Sequence, residues 1–90
     1  MGKAQVDPAE LRRFASELNR FNTEVQSLVG SLNVRMRNLE QTWRDQEQKK
    51  FSESFEQLAR GLGQFLEASQ QHVGWLQRKS AIIEEYLKQR

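Results

Sequence analysis

Few side chains in this 90-residue chain have the type and the company that catalysis needs. His72 is the sole histidine and there is no cysteine, so neither a zinc ligand set nor a thiolate nucleophile can be assembled. Ser27, Ser52 and Ser54 have no neighbouring base to activate them. Glu53 and Glu56 share a helix face, yet nothing around them excludes water, and paired carboxylates on an open helix serve solubility. No strand precedes a glycine-rich loop of the kind that cradles phosphates. The sequence therefore predicts no catalytic, cofactor-binding or metal-binding residue and no enzyme. Function must lie in what the chain binds or where it travels.

The remaining residues say how such a surface would be built. Apolar side chains recur at steps of three and four through Leu11, Phe14, Leu18, Phe21, Val25, Leu28, Leu32, Met36, Leu39 and Trp43. A second series runs through Phe51, Phe55, Leu58, Leu62, Leu66, Val73, Leu76, Ile83 and Leu87. Such steps keep each series on one helical face. Asp7 is a good N-cap, Pro8 suits the first helical position, and Glu10 stands where a capping-box carboxylate belongs. Asp45 offers the same service to a second helix, with Gln48 three residues on. The pattern predicts one domain over residues 1–90. It consists of helix 1 at about 7–41, a turn at about 42–45 and helix 2 at about 46–88. Each helix would be on the order of 50–60 Å long. The fold class is all-α, an antiparallel helix-turn-helix hairpin that dimerises into a four-helix bundle.

Folding back at Trp43–Asp45 pairs Leu39 with Phe51, Leu28 with Leu62, Phe21 with Ser69 and Phe14 with Leu76. A repeated four-residue step at Leu28–Leu32–Met36 and at Leu58–Leu62–Leu66 predicts fairly straight helices at mid-rod. Two helices of this size bury too little surface to stand alone. Helix 2 carries a second stripe about 100° round from its first: Gly61, Phe65, Ala68, His72, Trp75, Ile82 and Tyr86. Exposed apolar stripes mark partner surfaces, so Gly61, Phe65, Ala68, His72, Trp75 and Ile82 are the expected dimer interface. Gly61 and Ala68 would allow close backbone approach. Widening of the intramolecular seam is the simpler use of the same stripe. Trp43 either plugs the end of the hairpin against Leu39 and Phe51 or is displayed for recognition.

Composition narrows the partner. Fourteen Lys and Arg against twelve Asp and Glu leave a formal charge of +2. The two signs are interspersed rather than gathered on one basic face, which argues against a nucleic-acid partner. No run approaches the ~18 apolar residues of a membrane span. Met1–Val6 lacks the apolar core of a secretory signal peptide, so export would need a route that accepts leaderless substrates.

Taken together, a chain of about this length, two helices, a tryptophan turn at Trp43-Arg44-Asp45, phenylalanines at Phe51 and Phe55 and no cysteine resemble the WXG (Trp-X-Gly) family of small type VII (ESX) secretion proteins. The resemblance covers nearly the whole chain. It implies a homodimer or a heterodimer with a related protein, residence in the cytoplasm before export, and secretion without a cleaved signal peptide. It also implies contact with a secretion ATPase or a larger secreted substrate. Two features depart from the family pattern. Asp45 replaces the turn glycine; Asp caps helices well and tolerates unusual backbone angles. Tyr86-Leu87-Lys88-Gln89-Arg90 has the tyrosine of the family's C-terminal export motif, but Arg90 stands where that motif has Asp or Glu. The signal would then lie on a partner or in a tail after Arg90, or the chain is a divergent relative. Other readings of the same hairpin are an intracellular helical adaptor or chaperone dimer and an RNA-binding hairpin dimer. The second would need basic residues collected on one face.

Overall fold

The computed structural model describes residues 6–89. Two helices, α1 (Pro8–Glu40) and α2 (Gln46–Lys88), fold back on one another as a hairpin. The rod measures 68 × 20 × 14 Å. Its radius of gyration is 20.1 Å, against about 12 Å for a compact chain of this length. The all-α hairpin expected from the apolar spacing is the observed fold.

The helix starts follow from their capping residues. The Asp7 carboxylate accepts a hydrogen bond from the Ala9 amide at 2.9 Å, and Pro8 opens α1. Asp45 accepts from the Gln48 amide at 3.0 Å. Each bond satisfies one of the amides that a helix start leaves without an intrahelical partner. Neither start closes the reciprocal box that the sequence suggests. Glu10 turns outward to Arg13. Gln48 donates to Ser52 Oγ, which in turn donates to Glu40 across the hairpin at 2.7 Å.

The seam differs from the predicted one. On α2 the inward series is Gln48, Ser52, Phe55, Ala59, Leu62, Leu66, Ser69, Val73, Leu76, Ser80 and Ile83, with Gly74 and Glu84 half-buried beside it. They alternate strictly by four and three, which is the heptad rhythm of two helices in register. The repeated four-residue step expected at Leu58–Leu62–Leu66 is absent from this series. On α1 the inward series is Leu11, Ala15, Leu18, Asn22, Val25, Val29, Asn33, Met36 and Glu40. A repeated four-residue step survives there, at Val25–Val29–Asn33.

Small and polar side chains interrupt the seam at intervals, on α2 at Ser52, Ala59, Ser69 and Ser80. Ala15 and Val73 are buried, and so are the polar Asn22, Ser69 and Ser80. Phe14, Phe21, Leu28, Leu32 and Leu39 on α1, and Phe51, Leu58 and Leu87 on α2, were expected in the seam but are exposed. The partners change accordingly. Ser69 Oγ donates to Asn22 Oδ1 at 2.8 Å rather than facing Phe21. Phe21 meets Phe65 edge-on, with ring centroids 6.4 Å apart. The physical reason is steric. Helix axes packed about 8–10 Å apart leave little room for rings between them, and the rings move to the flank.

Polar layers mark the register along the rod. At the open end Ser80 Oγ donates to the Pro8 carbonyl at 3.0 Å and accepts from Arg12, which also pairs with Glu84. Asn22 and Ser69 sit at mid-rod. Glu40, Ser52 and Gln48 sit near the bend. A buried polar pair fixes alignment because a slipped register strands its hydrogen-bonding groups.

Candidate functional site: the apolar face of the hairpin

The residues displaced from the seam do not scatter. In an antiparallel pair the flank on one side of one helix's seam lies beside the matching flank of the other. Phe14, Phe21, Leu28, Leu32 and Leu39 of α1 therefore share a face with Phe51, Leu58, Phe65 and His72 of α2. The Phe21–Phe65 contact fixes this relation. The stripe Gly61, Ala68, Trp75 and Ile82 lies one row further round α2. The sequence divides these residues into a core stripe and a separate stripe on helix 2; the structure joins both into one face built by both helices.

Two shallow grooves run along that face. Toward the open end, Phe14, Leu18, Phe65, Ala68, Ser69, His72, Trp75 and Leu76 line about 430 Å³. Toward the bend, Leu32, Arg35, Met36, Leu39, Phe51 and Phe55 line about 180 Å³. Trp75 is 54 % exposed, Ile82 67 % and Phe14 56 %. Lys79 lies 6.0 Å from the centre of the Trp75 ring, close enough for a weak cation–π contact. Gly61 is open: a Cβ added there would meet no atom within 4 Å. No packing inside the hairpin calls for a glycine at that position.

The opposite face has different chemistry. Arg12, Ser16, Asn19, Gln77, Ser80, Ala81 and Glu84 surround one groove, and Asn22, Gln26, Gly63, Leu66, Glu67 and Gln70 another. Carboxamides and charges dominate both. On the solvent side of α1, the hydrogen bond that Arg13 donates to Glu10, and then the Glu10 charge, raise the pKa of Arg13.

Trp43 closes the end of the rod. Its amide donates to the Leu39 carbonyl at 2.9 Å. Its half-buried ring lies 5.8 Å from that of Phe51, which stacks on Phe55 at 6.3 Å. Arg44 Nε donates to the Gln41 carbonyl at 3.2 Å. Asp45 has φ −93° and ψ −174°, and no described residue has a positive φ. The reversal through Trp43-Arg44-Asp45 thus uses backbone angles that any residue adopts, and Asp45 serves where the pattern has glycine because the position needs a cap.

Tyr86 is 66 % exposed near the end of α2, away from the tryptophan turn. Among the described residues no group of three or more His, Cys, Asp and Glu is placed to hold a metal ion. No described helix is long and apolar enough to cross a membrane.

The chain matches the family WXG100, described as proteins of 100 residues with WXG, over residues 3–85. No curated protein matches it. The chain belongs to the WXG100 family, whose members are small helical proteins of type VII secretion and typically pair with related proteins.

Proposed function

We propose that this WXG100 protein is exported by, or assists export through, a type VII secretion system, and that it acts by protein–protein contact. The observation that carries the reading is the apolar face that the hairpin leaves open along its length. Exposed apolar surface on this scale marks an interaction site. Gly61, Phe65, Ala68, His72, Trp75 and Ile82 form the centre of the proposed interface, together with Phe14, Phe21 and Leu28 from α1. The partner is a related hairpin, so that two hairpins complete a four-helix bundle. Residues 1–90 act as one folding unit in that bundle.

The bundle presents Trp43-Arg44-Asp45 at its end as a recognition point for a secretion ATPase or a larger secreted substrate. Tyr86 is the remnant of an export motif whose acidic member is missing, so the partner supplies that part of the signal. The protein resides in the cytoplasm before export and leaves without cleavage of a leader. Arg90, where the motif has an acidic residue, favours a second reading, an intracellular adaptor built on the same bundle.

The test is the fate of the tagged chain in its own host with and without the secretion ATPase. Export predicts the chain in culture supernatant, with its N-terminus intact, only when the ATPase is present. Retention in the cell under both conditions contradicts export and selects the adaptor.

A further inference from the structure

We infer that the hairpin contains a joint at the level of Gly30, Gly61 and Gly63, about which the segment carrying the Trp43 bend moves relative to the open segment. The joint is a property of the hairpin itself and holds whether or not the apolar face takes a partner.

The first observation is the alignment of three glycines. Asn22 faces Ser69. Eight residues on from Asn22 and eight back from Ser69 stand Gly30 and Gly61. Glu40 faces Ser52. Ten residues back from Glu40 and ten on from Ser52 stand Gly30 and Leu62, between Gly61 and Gly63. Both helices are therefore weakened at one level of the rod. Each glycine lowers the local helical equilibrium about fivefold relative to alanine. None of the three is required by packing, because a Cβ added at any of them would meet no atom within 4 Å. Ser31 follows Gly30, and Gly/Ser pairs are among the places where helices bend.

The second observation is a mismatch in the seam at that level. From Val29 to Asn33 α1 spends four residues, where α2 spends three between Leu62 and Ala59. The facing backbones thus drift by one residue, about 1.5 Å, and such a step locally unwinds the supercoil. Asn33, a polar side chain, occupies the half-buried position there.

The third observation is where the helices are tied together. Among the described residues, the hydrogen bonds and ion pairs between side chains of the two helices lie at Arg12 with Ser80 and Glu84, at Asn22 with Ser69, and at Glu40 with Ser52. None lies in the stretch between the last two. The buried residues Ala15, Asn22, Ser69, Val73 and Ser80 all belong to the open segment. From position 23 to position 68 the inward residues are half-buried at most. The open segment is thus packed and pinned. The bend segment is held at its far end by the Glu40–Ser52 bond and by the rings of Trp43, Phe51 and Phe55. Weak helix, mismatched seam and missing ties coincide between them. Motion at such a joint falls in the microsecond-to-millisecond range of hinges, and it changes the direction in which Trp43-Arg44-Asp45 points without breaking the register on either side.

Two of the glycines give a test that leaves the apolar face alone. Gly63 lines the polar groove with Gln26, and Gly30 lies one helical turn on from Gln26. In the full chain, amide hydrogen exchange is expected to be fastest within residues 27–34 and 59–65 and slower on both sides, apart from the fraying ends. Gly30→Ala with Gly63→Ala should slow exchange there about fivefold for each glycine replaced. The absence of cysteine allows spin labels to read the motion. Glu53→Cys with Glu67→Cys spans the joint. Glu67→Cys with Ala81→Cys spans the same number of residues, about 21 Å of helix, within the open segment. With unlabelled chain in excess, so that each complex carries one labelled copy, the first pair should give the broader distance distribution. The two alanines should narrow it to the width of the second. Exchange that is uniform, or that rises steadily from the open end to the bend, overturns the joint. So do two distributions of equal width, and so does a broad one that ignores the alanines.

Discussion

The two long faces of the hairpin are made by the same two helices and differ in almost every property that governs binding. One carries Phe14, Phe21, Leu28, Phe65, Trp75 and Ile82, all more than two-fifths exposed. The other carries Arg12, Asn19, Gln26, Gln70, Gln77 and Glu84 around its grooves. Both flank one narrow seam, whose buried apolar members among the described residues are Ala15 and Val73. Most of the large apolar side chains therefore lie outside the seam. The hairpin's fold specifies alignment through small and polar layers. Under the proposed pairing its stability would depend on what covers the apolar side, and folding and association would be coupled as they are in obligate dimers.

Substitutions that treat the two faces differently test that contrast. The largest effect is expected for Trp75→Glu, which places a carboxylate where covering the face would remove water. Burying an unpaired charge costs several kcal/mol. Pairing should weaken at least ~100-fold, equivalent to about 3 kcal/mol, as read by sedimentation equilibrium. Retained affinity would shift the interface away from Trp75.

Trp43→Ala should have an intermediate effect. The ring is half-buried against Phe51, so the loss should be about 1–2 kcal/mol, below the 3–5 kcal/mol typical of a fully buried tryptophan. Urea denaturation of the paired protein measures it. A smaller loss accompanied by abolished export would show that the ring is displayed for recognition.

Gly61→Ala should have the smallest effect and sharpens the contrast by splitting its sign. The added methyl meets open space within the hairpin, so helix stability should rise by about 0.5–1 kcal/mol. Pairing should nevertheless weaken if the partner's backbone approaches there. Thermal melts at two protein concentrations separate the two contributions. A gain in both would mean that no close approach occurs at Gly61.

The sequence made the hairpin legible because three-and-four spacing is a geometric signature that composition does not disturb. Asp7 and Asp45 were legible as caps for the same reason: their chemistry is local. The membership of the seam was harder to read. Bulk suggests that Phe14, Phe21, Leu28 and Phe51 lie inside, and that choice requires an irregular step on each helix. A more regular series was present in α2, from Gln48 and Ser52 through Ala59, Ser69 and Ser80 to Ile83. Its serines, alanine and glutamine conceal it from a search for hydrophobic residues. Asn22 and Ser69 become recognisable as a pair only once the register sets them opposite each other.

The stripe Gly61, Phe65, Ala68, His72, Trp75 and Ile82 was visible from one helix alone. Its continuation onto Phe14, Phe21 and Leu28 depends on which flanks the fold places side by side, which is a tertiary property. The replacement of the turn glycine was visible in Trp43-Arg44-Asp45. That no left-handed backbone is needed there emerges only from the dihedral angles.

The most direct test of the account is the association state of the complex carrying a charge on each face in turn, measured by sedimentation equilibrium under one buffer. Trp75→Glu should break the wild-type complex into single hairpins or unfolded chains. Gln77→Glu, the same charge on the opposite face, should leave both mass and stability within about 0.5 kcal/mol of wild type. Equal sensitivity on the two faces, or a wild-type hairpin that is single, fully folded and unresponsive to any related partner, would contradict the claim that the apolar face is where this protein works.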